Sequence, residues 1–233
     1  MDTDSTEILI ASDYDRTLAN EENNFVISPI VAQKINEFSK KYKFVVVTGR
    51  EKKFIEKLAL GLRPTAWILE NGSLILFNNK EFILCEKSWF ERDRKKIIEI
   101  LDSLKIRYSI GRVIIYVDGY GSKLDMLSEI EKYGRIEVNR NDAMILPKGV
   151  DKGTGVLKFK ELIGFKGKII ALGDSENDYA LFRVADIKVA VANAIPKIKE
   201  IADIVTKNPN GLGVLEILDK ILSENFRKEI DIY

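Results

Sequence analysis

The stretch ILIASDYDRTLAN, residues 8–20, decides how the chain is read. Its first residues are aliphatic and β-branched, as in a strand buried on both faces. Asp13 and Asp15 follow two residues apart, where that strand should end. With a side-chain period near two, both carboxylates can face one space. Two acids held close repel, so the pair calls for a shared proton or a cation.

Working outward, KFVVVTGR and TAWILENG read as further apolar strands, and SPIVAQKINEFSKKY and EKKFIEKLALGL as the helices between them. Ser28 is a candidate N-cap and Pro29 suits the first helical position, with Ile30, Val31, Ile35 and Phe38 as the buried stripe. SLILFNNKEFILCE predicts a hairpin turning at Asn78-Asn79. The β-α-β-α-β order predicts an α/β fold, a doubly wound parallel sheet covered on both faces. Residues 86–147 break the pattern with a helix from Ser88 to Leu104, two strands, a helix in SKLDMLSEIEKYG and two more strands. That αββαββ unit is expected to be an α+β insert in one core domain, residues 1–85 and 148–233. After PKGVDKG the alternation returns through KIIALGD, ENDYALFRVA, IKVAVAN, IPKIKEIA, DIVTK and GVLEILDKILSENF. Met1–Thr6 and the last few residues are expected to be loose.

Composition narrows the chemistry. The 233 residues carry 37 Lys+Arg against 36 Asp+Glu, a net charge of +1, which gives no basic excess for nucleic acid. With no His in the chain, Ser-His triads and His-ligated zinc are excluded. The lone Cys85 excludes an internal disulfide and fits a reducing compartment. No apolar run is long enough for a bilayer and the start lacks a signal pattern, so a cytoplasmic protein without membrane partner is expected. The oligomeric state expected is monomer or homodimer.

In open parallel sheets, ligands bind at the carboxyl ends of the strands. Asp13 and Asp15 sit at one such end. Thr48, Gly49 and Arg50 follow the next strand, and Asp174, Asn177 and Asp178 follow KIIALG. Lys152 opens the helix that leads into that strand. Three acids without His or Cys describe a Mg²⁺ site, which suits carboxylate oxygens and a phosphate. Taken singly, each residue has a plainer use: Asp13 and Asp15 as turn residues, Thr48 as a strand-end hydroxyl bonding backbone, Lys152 as a solvated lysine, and Asp174 or Ser175 as a helix cap.

DYDRTL resembles the DxDxT signature of the haloacid dehalogenase-like superfamily. VVVTGR, Lys152 in VDKGTG, and GDSENDYALF are similar to its second, third and fourth motifs, in order, and the insert resembles the type-C2 cap in its small form. The resemblance implies a Mg²⁺-dependent phosphatase acting through an aspartyl-phosphate. Asp13 would be the nucleophile and Asp15 the general acid, then base. Thr48 would bond a phosphate oxygen, and Lys152 would offset its growing charge. The metal would be held by Asp13, the Asp15 carbonyl and Asp174, with Asp178 reaching it through water or orienting Lys152, and Asn177 in support. ENGS resembles the family's ENGA loop, so Asn71 and Gly72 are expected at the substrate entrance, or as a plain turn. Arg50 is expected to contact substrate or to pair structurally, and Asn193 to cap.

The chain's size, small insert and LPKGVDKG look most like the archaeal phosphoglycolate phosphatases. The expected partner is therefore a small phosphorylated metabolite, phosphoglycolate foremost. Relatives of similar build act on sucrose phosphate, other sugar phosphates or mannosyl-phosphoglycerate. From another class, a phospho-accepting receiver module also clusters acids, a Thr and a Lys around Mg²⁺, but carries its accepting Asp on a later strand.

Overall fold

The computed structural model describes residues 7–119, 127–139 and 142–223. The first strand, β1 (Ile8–Asp13), is buried at every position: its apolar run Ile8–Ala11 suits a strand covered on both faces, and the polar Ser12 and Asp13 at its end are buried with it. α1 (Pro29–Phe38), β2 (Lys43–Val47), α2 (Lys52–Leu58) and β3 (Ala66–Leu69) follow, and then the hairpin β4 (Leu74–Phe77) and β5 (Lys80–Ile83). Ser28 caps α1 by position but makes no side-chain bond, and Pro29 is its first residue. Val31, Ile35 and Phe38 are buried as expected, while Ile30 is exposed. Asn78 and Asn79 take left-handed φ of 50° and 58°, which the two-residue hairpin turn demands.

The chain then builds a second sheet. A π-turn (Trp89–Asp93) leads into α3 (Arg94–Ser103), where one regular helix was expected. Trp89 is buried there and its indole donates to the Val113 carbonyl at 2.8 Å. β6 (Tyr108–Ile110), β7 (Ile115–Val117), α4 (Leu127–Glu131), β8 (Arg135–Asn139) and β9 (Asp142–Leu146) complete the αββαββ order. Their sheet is antiparallel, ordered β6-β7-β9-β8.

α5 (Lys152–Leu162), β10 (Lys168–Gly173), α6 (Tyr179–Phe182), β11 (Ile187–Ala190), α7 (Pro196–Ile201), β12 (Ile204–Val205) and α8 (Asn210–Leu222) return to the first sheet. Its order is β12-β11-β10-β1-β2-β3-β4-β5, parallel except for the β3-β4-β5 end. β1 lies between β10 and β2, so the three acid- and Thr-bearing strand ends adjoin one another. The helix expected in ENDYALFRVA is a 3₁₀ turn (Glu176–Asp178) running into the short α6. The start of the SKLDMLSEIEKYG helix and the two ends expected to be loose lie outside the described residues. Among the described residues, no helix is long and apolar enough to cross a membrane.

Candidate active site

Asp13 is the last residue of β1 and is 4% exposed. Its Oδ1 accepts a hydrogen bond from Lys152 Nζ at 2.7 Å. Lys152 is fully buried, the first residue of α5. A capping box sets it there: Asp151 accepts from the Thr154 N–H at 2.8 Å, and Thr154 Oγ1 accepts from the Asp151 N–H at 2.8 Å. Gly72 lets this helix start lie close to the β3–β4 turn, because a Cβ on it would come within 2.0 Å of the Asp151 carbonyl.

The Lys152 ammonium also donates to Asp178 Oδ1 at 2.7 Å. The second Asp178 oxygen accepts from the N–H groups of Asp174 and Ser175, at 2.9 and 3.1 Å. Both Asp178 oxygens are therefore engaged, and the carboxylate closes the capping box of the 3₁₀ turn while orienting Lys152. Ser175 is the N-cap, one of the two candidates the sequence offered. Asp174, 3% exposed, accepts from Arg16 Nε at 3.0 Å and from Thr17 Oγ1 at 3.3 Å. Asp13, Asp174 and Asp178 each offer an oxygen within 4.8 Å of the others.

This cluster holds more negative than positive charge. Burial pushes the Asp13 carboxyl well above its ordinary range, and Asp178, Asp174 and Asp15 push the same way against Lys152. Burial likewise raises Asp174 to about 6, with Asp178 adding and Arg16 and Lys152 opposing. Burial works against the Lys152 charge, but Asp13 and Asp178 outweigh it and hold the ammonium charged. Buried acids in excess of buried cations, offering oxygen only, fit a small hard divalent cation.

Asp15 lines the same cavity as Asp13, a space of about 590 Å³, within the range of small-molecule sites. Its side chain is 26% exposed and meets Arg50, whose Nε lies 2.8 and 2.9 Å from the two carboxylate oxygens. Arg50 also lies 4.9 Å over the Phe25 ring, and Gly49 and Arg50 both line the cavity. The buried Thr48 hydroxyl accepts from the Arg50 N–H at 3.2 Å, which is the plainer of its two expected uses. Asn177 lines the cavity and accepts from Ser175 Oγ at 2.9 Å.

Asn71 and Gly72 do not line the cavity, contrary to the expected entrance loop. Both are buried, and Asn71 donates to Met144 Sδ at 3.2 Å. The alternative holds: Ser73 N–H donates to the Glu70 carbonyl, with Asn71 and Gly72 at φ 52° and 97°, as in a type I′ turn. Asn193 is not the N-cap of a helix, since Ile195 holds that place at α7 and Pro209 at α8, but its side-chain oxygen accepts from the Asn210 N–H at 2.8 Å in the first turn of α8. Its amide also donates to the Arg16 carbonyl at 2.8 Å.

Arg16 and Thr17, both inside DYDRTL, add bonds to Asp174 that the motif pattern alone does not predict, and nothing in the sequence points to a role for Glu70. The second sheet contributes Tyr116 and Met144 to the cavity wall, for which no local pattern gave a signal.

A sequence model of haloacid dehalogenase-like hydrolases matches residues 10–133 and 123–218. The chain belongs to that family. It is 89% identical over 233 residues to phosphoglycolate phosphatase 2 of Saccharolobus solfataricus, covering 100% of both chains. It is 50% identical over 219 residues to a phosphoglycolate phosphatase of Sulfurisphaera tokodaii, covering 93% of this chain and 95% of that one. The crystal structure of Thermoplasma acidophilum 0175 superposes with a TM-score of 0.78 at 22% identity, covering 93% of this chain and 99% of that one. Family membership sets aside the receiver-module reading.

Proposed function

We propose that the protein hydrolyses phosphoglycolate to glycolate and phosphate, with Mg²⁺ as cofactor and Asp13 as the phosphoryl acceptor. One observation carries the reading. A buried Asp13, bonded to a buried ammonium, opens on the same cavity as Asp15 two residues on. The high identity to a phosphatase named for phosphoglycolate favours that substrate over a sugar phosphate.

An Asp13 oxygen attacks phosphorus, an acyl-phosphate bond forms, and the bond from phosphorus to the glycolate oxygen breaks. Asp15 gives its proton to the departing alkoxide. It then takes one from a water, which attacks phosphorus and releases phosphate and the Asp13 carboxylate. Arg50 grips Asp15 in the resting site, so an anionic substrate must draw Arg50 away before Asp15 can carry a proton. Lys152 offsets charge on the phosphoryl oxygens, positioned by Asp178. The Thr48 hydroxyl accepts from Arg50 N–H and so keeps its own proton to donate to phosphate.

Asp13, the Asp15 carbonyl and Asp174 would hold the metal. When bound, the ion neutralises the acid cluster and polarises the phosphoryl group. Asp178, its oxygens already taken, serves as the positioner of Lys152. Residues 86–147 act as a cap that selects the substrate and excludes water. A lone cysteine and small metabolite substrate fit a cytoplasmic enzyme.

The test is steady-state turnover of phosphoglycolate, set beside sucrose phosphate and a generic aryl phosphate, with Mg²⁺ and with chelator. Phosphoglycolate should be preferred and chelator should stop the reaction. A strong preference for a sugar phosphate would reject the substrate, and full activity in chelator would reject the metal.

A further inference from the structure

Glu70 is 1% exposed and follows directly on β3, with φ of 50°. Its carboxylate does not face the acid cluster. Oε1 accepts from the Arg112 N–H at 2.8 Å, and Oε2 accepts from the N–H groups of Val113 and Ile114 at 2.9 and 3.0 Å. Three successive amides between β6 and β7 thus form a seat for a buried anion. Charge-assisted bonds of this kind are what a buried carboxylate requires. Gly111 makes the approach possible, since a Cβ there would come within 2.7 Å of Glu70 Oε2.

On the other side, the same turn is bonded to the loop that follows β2. The Glu70 N–H donates to the Arg50 carbonyl at 3.2 Å, and the Asn71 N–H donates to the Thr48 carbonyl at 3.0 Å. Two further ties run in parallel. Tyr116 Oη donates to the Gly49 carbonyl at 2.8 Å, and Asn71 reaches Met144. One turn therefore joins the second sheet to the loop whose Arg50 grips Asp15.

We infer that Glu70 is a positioning residue: seated in the Arg112–Ile114 amides, it docks the second sheet over the cavity and fixes the Thr48–Arg50 loop beneath it. The carboxylate touches no reacting atom; it acts through Arg50 and through the cavity wall that β7 and β9 supply. The catalytic part of this statement rests on the phosphatase reading. The docking part does not.

The experiment uses the full chain with Glu70→Gln and Glu70→Ala. Gln keeps the shape but turns an NH₂ toward a backbone N–H. Amide exchange is read first, without substrate. In both variants, the amides of residues 112–116 should exchange about tenfold faster, and those of residues 48–51 should follow, while β1 and β10 keep their protection. Steady-state kinetics on phosphoglycolate should then show KM raised about tenfold, with a smaller fall in kcat. Faster exchange confined to 112–116, with kinetics within about twofold of wild type, would reduce Glu70 to a local tie and overturn the assignment. A rise that reaches β1 and β10 in both variants would make it a stability residue and overturn it too. Should wild type fail to turn over phosphoglycolate, the substrate reading falls, while the exchange result still decides the docking.

Discussion

The two walls of the cavity differ in kind. On the first-sheet wall, Asp13, Asp15, Arg16 and Arg50 are each tied to an opposite charge, with Lys152 and Asp178 buried beneath them. On the second-sheet wall stand Tyr116, Val117, Ala143 and Met144, with Ser109, Asp118 and Asp142 beside them. The first wall is built from strand ends and helix starts fixed by a buried parallel sheet. The second is a surface of another sheet, docked through the Glu70, Tyr116 and Asn71 ties. Under the proposed function, the first wall would carry out the reaction and the second would select the substrate, which separates chemistry from selection.

That separation predicts where damage falls. Asp13→Asn should lower kcat by on the order of 10⁴-fold or more with the melting temperature kept, because Asn preserves shape and the Lys152 bond while being a poor nucleophile. Lys152→Met should also abolish turnover, and in addition destabilise the fold by about 3–5 kcal/mol, since it leaves buried acids without their ammonium. Denaturant unfolding distinguishes the two variants. Asp15→Asn should slow phosphoglycolate turnover by about 10²–10⁴-fold but spare the first step on an aryl phosphate, whose leaving group needs no proton. A burst of nitrophenol followed by slow turnover is the expected record.

The acid cluster predicts a pH dependence. The Asp174 carboxyl sits at about 6 in the fold against an ordinary 3.8, and Asp13 is raised in the same direction. Between those two values the unfolded chain has released the proton that the folded chain retains. Metal-free stability should therefore fall as pH rises through that window. A divalent cation takes the proton's place, so the rise in melting temperature on adding Mg²⁺ should be larger at about pH 7 than at about pH 5. Equal gains at both would count against a metal at these acids. At the small end, Tyr116→Phe loses a single bond to the Gly49 carbonyl, about 0.5–1.5 kcal/mol, and should raise KM a few-fold while sparing kcat.

The first wall was legible in the sequence because its parts lie in short ordered runs. DYDRT, the Thr48 strand end, the Lys152 helix start and DSEND each combine a strand or helix boundary with a reactive residue. Parallel pairing of β1 with β2 and β10 then brings the runs together. The Asn78-Asn79 turn was readable for the same local reason. Glu70 was not, because its partners lie some forty residues on and are backbone amides, which leave no mark on residue type. Asn71 misled in the same way: its turn chemistry is local, but its burial under Met144 is set by the second sheet. The π-turn at Trp89 likewise answers to a contact with Val113 that no periodicity reports. Asp15 was placed correctly at the cavity, yet its pairing with Arg50 depends on how the β1 and β2 loops meet.

The proposed reaction turns on phosphoryl transfer to one carboxylate. Acid-quenching the enzyme within the first turnover of phosphorus-labelled phosphoglycolate, then mapping the label by peptide, tests it directly. The label should sit on the peptide bearing Asp13, vanish in Asp13→Asn and persist longer in Asp15→Asn. Rapid turnover with label on another residue, or undiminished turnover in Asp13→Asn, would contradict it.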